Sequence, residues 1–393
     1  MEKHLVLVGG GHAHLTVLLS LAEYFKRGHK VTVIGPAPYH YYSGMGPGLL
    51  SGIYRPQDVR FHVKKMAEDR GATFLEDKVV RINPVQRNLD LQCGSQVAYD
   101  IVSFNTGSEV PLSGVFGESR ENIVPVKPVF NLLKARRFLI PALQERPMEF
   151  VVIGGGPAGV EITANLWRLV NENRGKATIR LIAGQRLLSR LPERVRTLAF
   201  RSLTGRGIRV REGDHVKEVT RDKIRLSDGS SLSFDFAFMA LGVQPSALFR
   251  DSGLPTGPEG GLLVNSFLQS TGHPEMFGGG DCISFSERPL AKVGVYAVRQ
   301  NPILLHNLLS ALEHRDMKPF LPQKDYMLIL NMGNGKGILC KERFIWEGRL
   351  AFLLKSHIDR KFMRRFQVAG EPHEEEEERS GDGGRPQGPD TVD

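Results

Sequence analysis

Cysteine is scarce in this chain: 393 residues contain only Cys93, Cys282 and Cys340. No CxxC pair occurs, which excludes a redox dithiol of that type and a zinc ribbon. No run of 18 apolar residues occurs either, so the sequence contains no candidate membrane-spanning helix. Together with the lack of a recognisable signal peptide, these absences predict a protein of the reducing cytoplasm.

Acidic residues are concentrated at one end of a basic chain. The formal net charge is +9, yet the stretch from Glu371 onward holds nine acidic and two basic residues. This low-complexity stretch, 371–393, is predicted to be a disordered acidic tail. The basic remainder suits an anionic partner such as a phosphate-rich cofactor or an anionic lipid. No nucleic-acid-binding motif accompanies the charge, so we expect no nucleic acid partner.

Glycine is abundant and marks a repeated pattern. The stretch HLVLVGGGHAHLTVLLSLAEY starts at His4, and EFVVIGGGPAGVEITANLWRLV starts at Glu149. Each reads as a buried strand, a glycine-rich turn and a helix, and each is followed by a second short strand. This layout predicts an α/β chain with two doubly wound, Rossmann-like dinucleotide-binding domains.

The order of the later segments predicts that the second domain is inserted in the first. HPEMFGGGDCISF, at 273–285, follows the completed second unit but reads as a strand and turn of the first domain. We therefore predict a first domain of 1–118 and 250–320, and a second of 119–249. A C-terminal interface or membrane-facing region, 321–370, would precede the tail.

The two glycine turns differ in one position. Gly154, Gly156 and Gly159 complete the G-x-G-x-x-G pattern, in which the glycines allow a sharp turn, close approach to a pyrophosphate and helix–strand packing. The first turn keeps Gly9, Gly10 and Gly11 and continues with His12 and Ala13, but His14 occupies the third position. The substitution affects packing and leaves the anion site of the turn in place. His12 and His14 are two apart on a turn, so their side chains diverge and we predict no metal site.

Neither unit keeps the carboxylate that normally binds a ribose after its second strand. The first strand pair is followed by Gly35 and Pro36, the second by Ala183, Gly184, Gln185 and Arg186. Arg186 is either a contact to the 2′-phosphate of NADPH or a solvated surface arginine. A third interpretation is that nicotinamide binding has been lost.

With the paired turns, the segments NTGS, ALGVQP and GGGD in this order make residues 1–320 resemble the two-domain flavoproteins of the pyridine nucleotide–disulfide reductase superfamily. That resemblance implies FAD in the first domain and NADH or NADPH in the second. It places Asp281 and Gly280 at the FAD ribityl and phosphate region, Tyr296 and Gln300 near the flavin ring, and Glu161 near the nicotinamide. Thr106 and Gly107 of NTGS, and Gly242 of ALGVQP, would also line the cofactor sites. Lys292 or Arg299 would stabilise reduced flavin, or else be ordinary basic residues.

Within the superfamily, the cysteine pattern favours one branch. The CxxxxC of the disulfide reductases is missing, and the cysteine of the single-cysteine oxidases falls at Ser43. The resemblance is therefore to type II NADH:quinone oxidoreductases, which use no cysteine. LVGGGHAH, YSGMGPGLLSGIY and IDRKFMRRF are closer still to the flavoprotein segment fused ahead of selenophosphate synthetase in some bacteria. The resemblance to type II NADH:quinone oxidoreductases implies that NAD(P)H reduces FAD, which passes electrons to a quinone or similar small acceptor.

Two other functions remain open on the sequence. One is a sulfide- or selenide-oxidising flavoprotein that uses Cys282, and the other is an FAD-bound redox sensor that no longer uses nicotinamide.

The C-terminal region carries a basic amphipathic pattern. Apolar residues recur every four positions from Leu350 to Phe366, among six Lys or Arg residues in 349–366. Such a helix lies on an anionic membrane, on its own body or on a dimer partner. We expect peripheral contact with the inner membrane face through 349–366. NPILLHNLLSALEHR, at 301–315, is either a homodimer contact or core.

Overall fold

The computed structural model describes residues 2–111 and 122–374. The strands, in chain order, are β1 (His4–Val8), β2 (Lys30–Gly35), β3 (Tyr39–Tyr41), β4 (Arg60–His62), β5 (Thr73–Glu76), β6 (Val79–Asn83), β7 (Asn88–Leu91), β8 (Gln96–Ala98), β9 (Ile101–Phe104), β10 (Ile123–Pro125), β11 (Met148–Ile153), β12 (Ala177–Ile182), β13 (Arg209–Arg211), β14 (Val216–Val219), β15 (Lys223–Leu226), β16 (Ser231–Ser233), β17 (Phe236–Met239), β18 (Leu262–Val264), β19 (Met276–Gly278), β20 (Ile283–Phe285), β21 (Leu328–Asn331), β22 (Gly337–Lys341) and β23 (Phe344–Gly348).

The helices are α1 (Leu15–Leu19), α2 (Leu21–Lys26), α3 (Gly46–Ser51), α4 (Val63–Glu68), α5 (Phe130–Glu145), α6 (Pro157–Glu172), α7 (Glu193–Thr204), α8 (Leu248–Asp251), α9 (Gly294–Glu313) and α10 (Arg349–Phe366). Short 3-10 turns lie at Ser43–Met45, Pro56–Val59, Gly280–Cys282 and Glu371–His373. Within the described ranges, no helix is long and apolar enough to cross a bilayer.

Two five-stranded parallel sheets form the centres of the two domains. The first has the order β19-β9-β1-β2-β5 and the second the order β10-β17-β11-β12-β13. Because β19 returns to pair with β9 after the whole second sheet is complete, the second domain is inserted in the first. The predicted fold class is therefore the observed one. The predicted boundary at 118 lies outside the described residues.

The central strands are apolar on both faces, as parallel strands covered by helices must be. β1 and β9 are buried along almost their whole length, and so is β11. Helix α9 packs across the first sheet, and its Leu304, Leu308 and Leu312 are almost fully buried. These leucines of the 301–315 segment therefore belong to the core of their own domain.

The C-terminal region is divided between the two domains. The antiparallel sheet β21-β22-β23 contributes Leu330 and Ile338 to the core of the second domain. Helix α10 instead ends in the core of the first domain, where Met363 and Phe366 are buried.

The start of the predicted tail is a correction. Disorder was expected from 371, but the Glu371 side chain is fully buried and accepts hydrogen bonds from the backbone N–H groups of His62 and Ala369, each at 2.9 Å. Two backbone donors offset the cost of burying this carboxylate, and they fix the chain on β4. The rest of the predicted tail, 375–393, lies outside the described residues.

Candidate active site

The first glycine turn, residues 9–13, is packed against the end of β9. A Cβ on Gly9 or Gly11 would lie 2.4 Å from an atom of Asn105, and one on Gly10 would meet Val63 at 2.5 Å. The Asn105 side chain accepts a hydrogen bond from Ala13 N (2.9 Å) and donates one to the carbonyl of Gly279 (2.6 Å). One buried amide thus joins the first glycine turn to the GGGD segment.

His14 replaces the packing glycine with two hydrogen bonds. Its imidazole is fully buried, with Nδ1 2.7 Å from the Gly9 carbonyl and Nε2 2.8 Å from Ser103 Oγ. Burial lowers the pKa of His14 to about 4, so the ring is neutral at neutral pH. A neutral imidazole has one donor and one acceptor, which match the carbonyl and the hydroxyl. The helix is therefore connected to the sheet through this side chain.

Asp281 stands at the centre of a charged group beside the first glycine turn. Its Oδ2 accepts hydrogen bonds from Lys127 Nζ (2.7 Å) and Ser108 Oγ (2.8 Å). Burial opposes ionisation of this carboxyl, but the Lys127 ammonium outweighs it and the pKa of Asp281 is lowered. The Gln300 side chain accepts from the N–H of the adjacent Gly280 at 2.7 Å.

Several predicted residues line one small cavity at this point. Its volume is about 10 Å³, which is room for one water molecule, and its walls include Gly280, Asp281, Lys292, Tyr296 and Gln300.

Aromatic rings close the site on the side of β3. The His12 ring lies nearly parallel to Phe362 of α10, with a centroid separation of 5.8 Å, and makes edge contact with His40 at 5.0 Å. Tyr42 lies 5.1 Å from both His12 and Phe362, measured between ring centroids.

The residues around the first glycine turn fit a bound dinucleotide such as FAD. His12 Nε2 is buried and has no hydrogen-bond partner among the described residues. Thr106 is exposed, and Gly107 has a φ of +74° with nothing within 4 Å of where a Cβ would stand. A buried ring nitrogen without a partner, together with open backbone at Gly107, indicates a group that completes the site.

In the second glycine turn, residues 154–159, the surrounding backbone leaves no room for a side chain at Gly154 and Gly159, but there is room at Gly156. A Cβ on Gly154 would lie 2.1 Å from the Ala240 carbonyl, and one on Gly159 would lie 1.8 Å from the carbonyl of Gly154. Gly156 and Gly242, by contrast, have nothing within 4 Å of a Cβ position. Open backbone at Gly156, at the start of α6, fits the approach of a nicotinamide dinucleotide pyrophosphate.

Arg186, predicted as a contact for a 2′-phosphate, is paired on the surface. Its guanidinium lies 2.6 Å from Glu193, and both side chains are half exposed or more. A carboxylate does lie under this loop: Glu212 accepts from Leu187 N at 2.6 Å and from Arg196 at 2.7 Å. These two bonds fix the Glu212 carboxylate beneath the loop that carries Arg186.

Glu161 lies where the two domains meet. Helix α6 carries it beside α3 of the first domain, where Ser51 Oγ donates to Asn165 Oδ1 at 2.8 Å. Glu161 accepts a hydrogen bond from Asn331 N at 2.7 Å. Burial raises its pKa to about 7, against the opposing charge of Lys355.

Helix α10 supplies charged groups to the same junction. Lys355 Nζ donates to Asp359 (2.8 Å) and to the Gly44 carbonyl (2.8 Å). Tyr42 OH donates to the other oxygen of Asp359 at 3.0 Å. Burial disfavours the Lys355 charge, but Asp359 and Glu161 outweigh it, so the pKa of Lys355 is raised.

The sequence patterns do not identify the charged and aromatic groups around the two glycine turns as site residues. Lys355 and Asp359 were part of a pattern interpreted as a membrane face, although their spacing of four is that of a helical ion pair. Lys127 lies in the short segment VKP, 126–128, whose pattern gives no role for the lysine. His40 and Tyr42 carried no signal, because only the tertiary fold brings β3 against the first glycine turn.

Two predicted reactive groups are engaged elsewhere. Lys292 Nζ donates to the Ile283 carbonyl at 2.5 Å and pairs with Glu259 at 3.1 Å, so its role toward the flavin stays a prediction. Cys282 is fully buried and its Sγ donates to the carbonyls of Phe104 and Gly279. Burial also raises the pKa of this thiol, which does not favour a reactive thiolate.

The sequence model of the pyridine nucleotide-disulphide oxidoreductases matches residues 3–302. The chain belongs to this family. Membership confirms the predicted enzyme class, a flavoprotein oxidoreductase, and the predicted cofactors, FAD with NADH or NADPH. All three cysteines are free in the structure, with Cys93 exposed and Cys282 and Cys340 buried.

Curated relatives support the predicted branch. Ferroptosis suppressor protein 1 of Taeniopygia guttata is 24% identical, over 85% of this chain and 87% of its own. A probable NADH dehydrogenase of Dictyostelium discoideum is 22% identical, over 90% and 84%. The mitochondrial external alternative NAD(P)H-ubiquinone oxidoreductase B2 of Arabidopsis thaliana is 23% identical, over 73% and 55%.

Solved structures agree on the fold. NDH2 from Plasmodium falciparum, in complex with NADH, has a TM-score of 0.80 at 15% identity and covers 94% of this chain and 98% of its own. The sulfide:quinone oxidoreductase of Aquifex aeolicus has a TM-score of 0.76 at 18% identity, with coverages of 93% and 92%. The resemblance to type II NADH:quinone oxidoreductases is confirmed. The narrower resemblance to the segment before selenophosphate synthetase stays a prediction.

Proposed function

We propose that this enzyme passes electrons from NADH or NADPH through FAD to a quinone or a similar small acceptor, without a cysteine intermediate. The observation that carries the proposal is the junction at Glu161. There the helix of the second glycine turn meets α3 of the first domain and the Lys355–Asp359 pair of α10. The NAD(P)H-ubiquinone oxidoreductases among the relatives support a quinone as the acceptor.

Some of the site residues hold the backbone around the FAD site in place, and others carry a charge or a proton where the two domains meet. FAD bound there would supply the two-electron redox chemistry between a nicotinamide and the second substrate. Asn105 joins the first glycine turn to the GGGD segment, and His14 joins the same turn to β9. Lys127 and Ser108 hold the Asp281 carboxylate beside it. Glu161, whose pKa is near neutrality, can hold or release a proton at its carboxyl oxygen where the two domains meet. Lys355 supplies positive charge beside it.

Anaerobic reduction tests this function directly. The purified yellow protein would be mixed with NADH and separately with NADPH while the flavin absorbance is followed. Rapid bleaching by either nucleotide, followed by reoxidation with a short-chain quinone, is the expected result. A flavin that neither nucleotide bleaches would contradict the proposal and favour the redox sensor or a reduced-sulfur donor. Cys282→Ser, which leaves the Glu161 junction intact, should retain turnover.

We also propose that α10 contacts an anionic membrane through part of its apolar stripe. Leu350 and Leu353 are 62% and 58% exposed, and Leu354 and Ile358 are also on the surface. The expected continuous stripe is divided, because Phe362 and Phe366 pack onto the first domain. The outer leucines lie among basic side chains, as in interfacial helices. Sedimentation with anionic vesicles should fall for Leu350→Glu/Leu353→Glu and remain for Phe138→Glu, a change of a 60% exposed residue on α5.

Cytoplasmic location and homodimer formation remain predictions. Gel filtration with light scattering would measure the oligomeric state.

A further inference from the structure

His12 has a nitrogen atom that the protein leaves unpaired. The side chain is only 7% exposed, and its Nε2 is without a hydrogen-bond partner within residues 2–111 and 122–374. A buried ring nitrogen without a hydrogen-bond partner is costly, and native proteins rarely leave one. The position also differs from the neighbouring His14, both of whose ring nitrogens have protein partners.

The opposite nitrogen of the same ring faces another buried histidine. His12 Nδ1 lies 3.4 Å from Nε2 of His40, and the two rings meet edge to face at 87°. Phe362 stacks on the His12 ring with an interplanar angle of 19°. The orientation of His12 is therefore fixed from two sides by groups that do not use Nε2.

Both rings are neutral at neutral pH. Burial lowers the pKa of His12 to about 4 and that of His40 to about 3. Asp281 favours and Lys127 disfavours a charge on His12, so these two neighbours largely oppose each other. Each neutral ring has one donor and one acceptor, so a bond at one nitrogen decides what the other nitrogen offers.

We propose that His40 Nε2–H donates to His12 Nδ1, which places the His12 proton on Nε2 and makes it a donor to an acceptor oxygen of bound FAD. In this arrangement His12 binds the cofactor and His40 is a positioning residue that fixes its tautomer. The first glycine turn, which His12 directly follows, is the part of the fold that approaches phosphate oxygens. The inference takes the identity of the cofactor, FAD, from membership of the family and does not depend on the proposed electron donor or acceptor.

The release of FAD from variants of the holoenzyme distinguishes a hydrogen bond donated by His12 from the packing of its ring. His12→Phe keeps an aromatic ring against Phe362 but removes the donor, whereas His12→Gln places an amide N–H near the former Nε2. After dilution, fluorescence of released FAD should show an apparent affinity about tenfold weaker for His12→Phe, the typical value of one hydrogen bond. His12→Gln should stay within about threefold of the wild type, on the same basis. Equal retention of FAD by His12→Phe and the wild type would overturn the proposal.

The tautomer provides a readout that does not depend on turnover. Long-range ¹H–¹⁵N correlation spectra of the histidine rings should show His12 protonated at Nε2 in the loaded protein. In His40→Phe, the Nδ1 and Nε2 forms of His12 should both appear, and FAD should be held less tightly. His357→Phe changes an exposed histidine of α10 and is the matched control, with spectrum and affinity unchanged. A His12 ring protonated at Nδ1 in the loaded wild type would contradict the proposal.

Fragments of the cofactor locate the acceptor. If His12→Phe binds ADP less tightly than the wild type, the acceptor is a diphosphate oxygen. If it loses affinity for FMN instead, the acceptor lies on the ribityl or flavin half. A protein that retains FAD in the predicted order of variants but is not reduced by NADH or NADPH would leave this inference standing and remove the proposed electron donor.

Discussion

The two glycine turns of this chain share a sequence pattern except at its third glycine, where the first turn has His14, and they differ in their surroundings. The first is enclosed by protein side chains: Asn105 and Val63 contact its glycines, and His14 joins it to the sheet. At the second turn, Gly156 faces open space and the neighbouring Gly242 is exposed. An enclosed site suits a cofactor that stays bound through many turnovers. An open site suits a co-substrate that must enter and leave in each cycle.

The difference also affects the basic side chains near each turn. Beside the first turn, Lys127 is partly buried and bonded to Asp281. Beside the second, Arg186 is exposed and paired with Glu193. Exposed pairs contribute little and rearrange easily, whereas a buried pair is fixed by the lack of competing water. The chain therefore builds rigidity at one nucleotide site and adaptability at the other.

The largest expected effect comes from Gly9→Ala, which we compare with Gly156→Ala. Each variant adds one methyl group to a glycine turn. Gly9→Ala requires a Cβ at φ +87° and 2.4 Å from the Asn105 carbonyl, so we expect a loss of about 4 kcal/mol of unfolding free energy and loss of FAD. Gly156→Ala, at φ −79° with open space, should cost less than about 1 kcal/mol, because alanine is a poorer N-cap for α6 than glycine, and should raise the KM for the nucleotide. Chemical denaturation, flavin absorbance and steady-state kinetics measure these results. Equal stability of the two variants would contradict the comparison.

Restoring the family glycine at His14 should destabilise the protein. His14→Gly removes a buried ring and leaves the Gly9 carbonyl and Ser103 Oγ without their partner, so we expect a loss of about 3 kcal/mol. Ser103→Ala removes only one of these bonds and should cost about 1 kcal/mol. Denaturation curves of both variants measure the difference. An unfolding free energy of His14→Gly equal to that of the wild type would mean that the histidine does not support the turn.

Glu161 predicts a pH-dependent effect at the domain junction. Its pKa is about 7 in the folded protein and near 4.5 in an unfolded chain, so ionisation destabilises the wild type as pH rises through this interval. Glu161→Gln should therefore be more stable than the wild type at pH 8, by on the order of 2 kcal/mol, and similar to it near pH 4. Unfolding free energies measured across this range test the sign. A gain that is the same at both pH values would show that the carboxyl does not titrate there.

The smallest expected effect is at Arg186. Because this side chain is exposed and paired with Glu193, Arg186→Ala should leave the unfolding free energy within about 0.5 kcal/mol of the wild type. If the arginine turns to a 2′-phosphate when NADPH binds, the variant should raise the KM for NADPH several-fold and leave that for NADH unchanged. Equal changes for both nucleotides would exclude that role. Arg190→Ala, an exposed change nearby, is the control.

Local patterns were sufficient for the strands that flank the two glycine turns, for the turns themselves and for the insertion of the second domain. Strand β1, predicted at 4–8, is observed at His4–Val8, because β-branched and leucine-rich runs next to glycine have few alternatives. The predicted start of the tail at 371 was wrong, because charge alone does not reveal that the Glu371 carboxylate accepts hydrogen bonds from two backbone N–H groups. The apolar stripe of α10 is exposed at Leu350 and Leu353 and packed onto the first domain at Phe366, since periodicity identifies an apolar face but not what covers it.

The sequence by itself determined the two nucleotide-binding units and their order, because glycine spacing and apolar strands act over a few residues. The tertiary structure alone decided that β3 and α10 reach the first glycine turn, since His40 and Phe362 are far from His12 along the chain. It also decided that Glu161, Lys355 and Asp359 share one buried junction. Contacts of that kind depend on how distant elements pack, and on the low dielectric that their packing creates.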